Sequence, residues 1–574
     1  MKASKLGIIL LSTTILISCK QDSSSLKSSK DKQLTHIEVS KSQEEAIPPP
    51  PRMTPYVATD IQNDANISDV DIAELQSNKM VVCEDSEPVF CYIGPSNSEY
   101  DNSNNEGYSS PVENKFILAQ NEPLSTFSAD VDAASYSNMR RFINKGQLPP
   151  SDAVRTEEFV NYFSYNYPNP TGNDPVRIIT EVGSCPWNDN HRLVKIGVKA
   201  KEIPSHNLPA SNFVFLIDVS GSMWGATRLE MVKSSLKLLV NNLREQDRVA
   251  IVVYAGAAGE VLPSTSGSDK QKIKESLDNL TAGGSTAGGA GIQLAYKIAK
   301  KNFIDNGNNR IILCTDGDFN VGVSSNKGLE ELIEKERKSG IFLSILGYGM
   351  GNYKDDKMQT LAQKGNGNHA YIDNLQEANK VLVNEFGSTM YTVAKDVKLQ
   401  LEFNPAQVQA YRLVGYETHL LNKEDFNDDT KDAGEMGAGH TVTAFYEVIP
   451  VGAKSNLIGS VDPLKYQDGK SGEKIKTNAY PDLLTVKLRY KNPDSDTSKK
   501  MEFPVIDNRK NKVSEDFRFA AAVAMYSQIL RNSQFKGNAT YEEVLKLAKS
   551  SLGNDPNGYR REFVRLVETT KNMS

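Results

Sequence analysis

From residue 212 onward, short and almost wholly apolar segments alternate with amphipathic ones. Five apolar segments are predicted as strands, at 213–217, 249–254, 310–315, 342–347 and 370–372. Helical periodicity fills the intervals, near 228–243, 270–279, 289–301, 327–338, 355–364 and 375–388. Strands that are apolar on both faces belong to a parallel sheet covered by helices on both sides. The pattern predicts a doubly wound, Rossmann-like α/β domain over residues 210–390.

Segments that alternate apolar and polar residues flank this region on both sides. Such segments lie at 176–183 and 193–200 before it, and at 397–403, 408–414, 441–448, 483–490 and 501–505 after it. Period-two alternation is typical of antiparallel strands with one buried face. Each set alone has too few strands to bury a two-sided core. We therefore expect residues 123–209 and 391–510 to form one β-rich, β-sandwich-like domain, into which the α/β domain is inserted.

Helices are predicted at both ends of this β-rich domain. On the N-terminal side they span 132–144, with Asp132 as the N-cap, and 151–163. On the C-terminal side, residues 511–574 contain three helical segments near 515–531, 540–551 and 559–570.

Residues 1–19 read as a secretory signal, because Lys2 and Lys5 precede an apolar run at 6–17. A bilayer-spanning helix needs about 20 apolar residues, so this run is too short for one. Its Leu-Ile-Ser-Cys19 ending resembles the lipobox of bacterial lipoproteins, which implies a lipid on Cys19. The alternative is a soluble secreted protein in which this cysteine is incidental. We expect a lipid anchor in a membrane of the bacterial cell envelope, with the outer membrane favoured.

Residues 20–122 are rich in Ser, Lys, Gln, Asp, Asn and Pro, and are predicted to form a disordered tether. Within it, Cys83 and Cys91 are close enough in sequence to form a disulfide in the oxidising environment that an exported chain meets. The net charge of −6 provides no basic field for nucleic acid, so nucleic-acid binding is disfavoured.

Three predicted loops offer oxygen ligands at the carboxyl ends of strands. Asp218, Ser220 and Ser222 follow the first apolar strand, Thr286 lies in a glycine-rich loop, and Asp316 follows the strand at 310–315. Ligands of doubly wound sheets bind at this edge. Carboxylate and hydroxyl oxygens without imidazole or thiolate suit Mg²⁺, or Mn²⁺ or Ca²⁺ in its place.

This arrangement resembles the metal-ion-dependent adhesion site of the von Willebrand factor A family, which has the form Asp-x-Ser-x-Ser, then Thr, then Asp. The resemblance implies that Ser220 and Ser222 ligate the metal directly. It implies direct ligation by Thr286 when a ligand is bound, and contact mainly through water for Asp218 and Asp316. Trp224, close to this loop, either shapes the ligand surface or packs against the first helix of the domain.

Five longer segments also resemble bacterial YfbK-like lipoproteins that contain such a domain. They are LSTFSADVDAASYSNMRRF at 124–142, GQLPP at 146–150, TDGDFNVG at 315–322, DAGEMGAGH at 432–440 and GYRREF at 558–563.

These features predict a lipid-anchored envelope protein that binds other proteins through a metal. The metal keeps a position for an Asp or Glu carboxylate of the protein partner, whereas hydrolysis would also need a positioned base, so we predict that the protein is not an enzyme. Two alternatives stay open: a structural envelope scaffold whose metal only braces loops, and a hydrolase acting on envelope polymers.

The export prediction is testable by mass spectrometry of the mature protein. We expect an N-terminal Cys19 that carries lipid, because the lipobox cysteine becomes the first residue after cleavage. A Cys19→Ser variant should be released from the membrane fraction. A mature chain that retains Met1 would contradict the prediction.

Overall fold

The computed structural model describes residues 106–108, 112–130, 132–285, 288–317, 326–351, 353–431, 433–458, 480–493, 495–510 and 512–574. The predicted sites at Cys19, Cys83, Cys91 and Thr286 lie outside these ranges. Within the ranges, no helix is long and apolar enough to cross a membrane.

The described residues form strands and helices that we number in chain order. The strands are β1 Ile117–Leu118, β2 Leu124–Ser128, β3 Val176–Ser184, β4 Arg192–Ala200, β5 Ser211–Asp218, β6 Arg248–Tyr254, β7 Ala258–Ser266, β8 Asn308–Thr315, β9 Ile341–Gly347, β10 His369–Tyr371, β11 Thr392–Phe403, β12 Val408–Val414, β13 Leu420–Leu421, β14 Gly434–Gly437, β15 Thr441–Pro450, β16 Leu484–Lys491 and β17 Ser498–Val505. The helices are α1 Ala134–Asn144, α2 Thr156–Asn161, α3 Leu229–Asn241, α4 Lys270–Asp278, α5 Gly288–Lys301, α6 Asn326–Arg337, α7 Asp355–Lys364, α8 Leu375–Asn379, α9 Phe386–Met390, α10 Glu515–Leu530, α11 Tyr541–Lys549 and α12 Tyr559–Met573.

The α/β domain contains a six-stranded sheet in the order β10-β9-β8-β5-β6-β7. All neighbours are parallel except β6 and β7. Along β5, Phe213 and Phe215 face one buried cluster with α3 and α4, while Val214 and Leu216 face another with α5 and α6. The sheet is thus covered on both faces, which confirms the predicted doubly wound fold. The edge strand β7, which contains Gly259 and Pro263, was not predicted from the sequence.

The β-rich domain is a sandwich of two sheets that share one buried core. One sheet has the order β1-β12-β15-β4-β3; the other has the order β13-β2-β11-β16-β17, with β14 paired to β11. Each sheet therefore combines strands from before and after the α/β domain. This confirms the predicted insertion. Helices α1, α2, α10, α11 and α12 pack together against the sandwich in a third, aromatic-rich cluster.

The folded part begins earlier in the chain than predicted. The tether was expected to extend to residue 122, but β1 pairs with β12 and Ala119 is buried. Further upstream, Glu106 forms an ion pair of 2.6 Å with Arg141 of α1. Residues 106–108 and 112–122 are therefore part of the folded domain, because short apolar and charged groups in this polar segment have specific tertiary partners.

Asp132 is not the N-cap of α1, as the sequence predicted. The helix begins at Ala134 with Ala133 as its N-cap, which makes no side-chain capping bond. The Asp132 carboxylate instead accepts a hydrogen bond of 2.9 Å from the backbone N–H of His369 in β10. A local capping signal was thus overridden by a tertiary contact with the inserted domain.

Arg140 of α1 is fully buried and joins three parts of the chain. Its guanidinium contacts Asp373 and Glu377 at the C-terminal end of the α/β domain, at 2.5 and 2.7 Å, and Glu562 of α12 at 2.9 Å. It also donates a hydrogen bond of 2.8 Å to the Tyr162 hydroxyl. This group links the inserted domain to the helices of both flanks.

Replacing Arg140 should be strongly destabilising, because it leaves buried carboxylates without their cation. An Arg140→Met variant should lose about 3–5 kcal/mol of unfolding free energy, measured by urea unfolding. Arg565→Met is the matched control: Arg565 also pairs with Glu562, but its side chain is 69% exposed. The control should lose at most about 1 kcal/mol, and equal losses would contradict the role assigned to Arg140.

A second prediction follows because each sheet of the sandwich combines strands from before and after the α/β domain. A fragment containing only residues 391–574 lacks β2, β3 and β4, so it cannot close either sheet. It should be unfolded or aggregated, as judged by circular dichroism and gel filtration. A cooperative thermal transition in this fragment would show that the domain boundaries are wrong.

Candidate metal centre

The candidate metal centre lies where three neighbouring strands end. β5 ends at Asp218, which is paired in register with Tyr254, the last residue of β6. β8, on the other side of β5, ends at Thr315. After β5 the chain forms β6 on one side, and it forms β8 on the other side only later. This reversal makes the end of β5 the topological switch point of the sheet. Open α/β sheets bind their ligands at this position.

Asp218 is completely buried and is held by three hydrogen bonds. Its Oδ1 accepts from the backbone N–H of Ser220 at 2.9 Å, and its Oδ2 accepts from the hydroxyls of Tyr254 at 3.1 Å and Thr315 at 3.2 Å. Burial raises the pKa of Asp218, the Ser220 hydrogen bonds oppose this rise, and the nearby Asp316 carboxylate adds to it. Two carboxylates in a dry site repel one another, and a cation between them would relieve this repulsion.

Ser220 and Ser222 present two hydroxyls side by side. Their Oγ atoms are 3.0 Å apart. A 3₁₀ turn at Gly221–Met223 brings the two side chains to the same side of the loop. Ser220 is buried and Ser222 is half-buried, so the pair lies between the buried carboxylates and the surface.

The glycine-rich loop that precedes Thr286 is fixed to the serine loop by backbone hydrogen bonds. Gly283 N–H donates to Val219 C=O at 2.8 Å, and Gly221 N–H donates to Gly284 C=O at 3.0 Å. Gly284 has φ +88°, a conformation that favours glycine. The two loops therefore run together up to Ser285, the last residue described before Thr286.

Asp316 follows β8 and is completely buried. Its Oδ2 lies 3.6 Å from Nε of Arg228, the residue that precedes α3. The next residue, Gly317, has φ +102° and donates its N–H to the Thr315 hydroxyl at 3.2 Å. This turn ends the described part of the loop directly after the carboxylate.

The structure thus brings together Asp218, Ser220, Ser222 and Asp316, while Thr286 lies outside the described residues. Their donors are carboxylate and hydroxyl oxygens, which fit Mg²⁺, Mn²⁺ or Ca²⁺ better than soft metals. In the described ranges, no group of three or more His, Cys, Asp or Glu side chains is arranged to hold a metal.

Three neighbours of this site were not identified from the sequence. Tyr254 and Thr315 could have been found, because each ends a strand adjacent to β5. No local sequence pattern indicated a role for Arg228, because its partner Asp316 is distant in the chain. Trp224 is 78% exposed, so it does not pack against α3 and remains on the surface close to Ser222.

Comparisons with known families agree with this architecture. Residues 212–385 match the von Willebrand factor type A domain model, and residues 388–573 match the model described as uncharacterized protein YfbK, C-terminal. Residues 102–195 match a further model described as von Willebrand factor. Domains of the type A family commonly mediate protein–protein interactions.

Individual relatives cover different shares of the chain. The uncharacterized protein YfbK of Escherichia coli (strain K12) is 48% identical over 459 residues, which is 79% of this chain and 78% of that protein. Uncharacterized protein sll0103 of Synechocystis sp. is 24% identical, covering 54% of this chain and 73% of its own. Among solved structures, BatB from Bacteroides thetaiotaomicron is 25% identical and covers 31% of this chain and 97% of its own, with a TM-score of 0.27.

The similarity to the Escherichia coli protein covers more than two thirds of each chain, and the two family models match residues 212–385 and 388–573. The chain therefore belongs to the YfbK family of proteins with a von Willebrand factor A domain.

Proposed function

We propose that this protein binds other proteins through a divalent metal ion, as an adhesion or scaffold protein of the bacterial envelope. The metal ligands in this proposal are Asp218, Ser220, Ser222, Thr286 and Asp316. The observation that carries it is the pairing of two buried carboxylates with two adjacent hydroxyls at the switch point of the sheet. Mg²⁺ is the favoured ion, with Mn²⁺ or Ca²⁺ as substitutes.

The mix of neutral and charged oxygens explains why such a site would recruit an anion. Ser220 and Ser222 are closest to the surface and carry no charge, whereas Asp218 is buried and already accepts three hydrogen bonds. A dication held mainly through hydroxyls keeps most of its charge. An Asp or Glu carboxylate from a partner protein supplies the missing negative oxygen.

The same geometry favours binding over hydrolysis. Metal-assisted hydrolysis needs a group that orients a water molecule and accepts its proton. Both oxygens of Asp218 serve as acceptors for neighbouring donors, which fixes this carboxylate as a structural and electrostatic element. A bracing role for the metal without a partner remains the second candidate, and partner capture distinguishes the two.

The proposed location rests on the N-terminal sequence. A signal segment that ends in Leu-Ile-Ser-Cys19 implies export and a lipid on Cys19. The lipid would hold the protein at a membrane of the envelope, with the outer membrane favoured.

Metal binding can be tested by calorimetry with Mg²⁺ on the wild type and on Ser220→Ala and Asp218→Asn. Both variants should bind at least about tenfold more weakly, because Ser220→Ala removes one oxygen donor and Asp218→Asn replaces a charged oxygen donor by a neutral amide. Asparagine is preferred to alanine at position 218 because it still accepts hydrogen bonds from the neighbouring hydroxyls, so the fold is retained. Asp305→Asn, an exposed residue in the turn before β8, is the matched control and should not change the affinity. Equal affinity in all four proteins would exclude the assigned site.

The use of the metal can be tested by crosslinking and pull-down from envelope fractions, with and without chelator. We expect the wild type to capture a partner only without chelator, and Ser220→Ala to capture none. A partner that is retained after the metal is lost would support the bracing role instead.

A further inference from the structure

The N-terminal segment, residues 106–108, contacts the loop that follows β9 in the α/β domain. Oε1 of Glu106 accepts a hydrogen bond of 3.0 Å from the backbone N–H of Gly351. Gly107 N–H donates to Tyr353 C=O at 3.0 Å, and Asp355 N–H donates to Gly107 C=O at 3.1 Å. These bonds attach the segment to the loop by its backbone as well as by its side chain.

Glu106 is itself firmly held. Its side chain is only 2% exposed, and its two oxygens accept from the two terminal nitrogens of Arg141 at 2.6 and 2.7 Å. Tyr108 also donates its hydroxyl proton to Oε2 of Glu106 at 2.7 Å. A two-point carboxylate–guanidinium pair of this kind has a defined geometry, so the loop after β9 is anchored to α1 through Glu106.

The opposite side of the same loop contacts Arg228. Nη2 of Arg228 donates to Met350 C=O at 2.7 Å, and the side chain lies against Gly349. Gly349 has φ +73°, a conformation that favours glycine, and a Cβ at this position would lie 2.6 Å from Arg228 Nε, so a larger residue here would displace the Arg228 side chain. The conformation of the loop therefore determines where Arg228 sits.

Arg228 also contacts the candidate metal centre, since its Nε is 3.6 Å from Oδ2 of the buried Asp316. The Arg228 guanidinium thus donates a hydrogen bond to the loop through Nη2, while its Nε faces the Asp316 carboxylate of the candidate metal site. An arginine stays protonated at all relevant pH values, so its charge is permanent. A positive charge at this distance opposes the approach of a second cation to the same carboxylate.

We propose that Arg228 is a positioning residue that lowers the metal affinity of the site, and that the N-terminal segment holds it in this place. Release of the segment frees the loop after β9, allows Arg228 to move away from Asp316 and strengthens metal binding. This inference rests on the proposed metal-binding function. It makes the folded end of the N-terminal region a control point for the metal site at the carboxyl edge of the sheet.

A double-mutant cycle tests this coupling on the full-length protein, with Mn²⁺ affinity measured by calorimetry and by the electron paramagnetic resonance signal of free Mn²⁺. Arg228→Gln should bind Mn²⁺ roughly tenfold more tightly, and Glu106→Ala about threefold more tightly. Adding Glu106→Ala to Arg228→Gln should have no further effect, because the residue through which the segment acts is already gone. Arg228→Lys keeps the charge and should bind close to the wild-type affinity.

Glu113→Ala is the matched control for Glu106. Glu113 belongs to the same N-terminal region and also pairs with an arginine, Arg531 at 3.8 Å, but it contacts α10 rather than the loop after β9. It should leave the Mn²⁺ affinity unchanged. If Glu106→Ala fails to fold by near-ultraviolet circular dichroism, Tyr108→Phe, which removes one hydrogen bond to Glu106, should change the affinity in the same direction.

Three results overturn the inference. They are weaker or unchanged binding in Arg228→Gln, an undiminished effect of Glu106→Ala in the Arg228→Gln background, and an equal effect of Glu113→Ala. In each of these cases Ser220→Ala still weakens Mn²⁺ binding, so the proposed function stands. If the wild type shows no binding that depends on Ser220, the proposed function fails and this inference fails with it.

Discussion

The structure depends on one buried cation, the Arg140 guanidinium, which is surrounded by carboxylates from elements that are far apart in the chain. Burying Asp373, Glu377 and Glu562 together would be unfavourable without it, because each carboxylate loses its hydration. With Arg140 in place, the C-terminal end of the inserted domain is fixed to helices from both flanks. The Arg155–Asp355 pair at 2.9 Å makes a second connection between the same parts. The inserted domain is therefore attached through buried ion pairs to the helices that pack on the sandwich.

The attachment of the inserted domain to the rest of the chain affects how the candidate metal centre would work. The carboxylates and hydroxyls of the site belong to loops at one edge of a parallel sheet, and the sheet is covered by helices on both faces. The strands and loops of the α/β domain contact the flanking segments through charged groups. Examples are the contacts of Asp132 with His369 and of Glu106 with Gly351. A partner that binds the metal would therefore bind a body whose orientation is set by the rest of the protein.

The sequence predicted the layers of the fold well, because apolar runs and period-two alternation follow directly from burial on two faces or on one. It also picked out the candidate oxygen ligands Asp218, Ser220, Ser222 and Asp316, which stand at strand ends and which the structure brings together. It did not predict β7, where Pro263 and Gly259 mask the strand signal, or β1, whose two residues are ordered by pairing with β12. Asp132 was given the wrong role and Arg228 was missed for a shared reason: their roles are set by residues from distant parts of the chain, which no local pattern encodes.

The insertion also has a consequence for how the chain reaches this structure. Ser125 of β2 pairs with Leu401 of β11, and Val194 of β4 pairs with Tyr446 of β15, so each sheet is completed only when segments separated by the whole inserted domain pair with one another. Contacts of such long range carry a large loop-closure entropy and are slow to form. The inserted domain connects most of its parallel strands locally, and its two ends meet where the Ser211 and Tyr391 hydroxyls are 2.6 Å apart. Once the inserted domain has folded, the two halves of the sandwich are already neighbours. Folding of the inserted domain therefore promotes assembly of the sandwich.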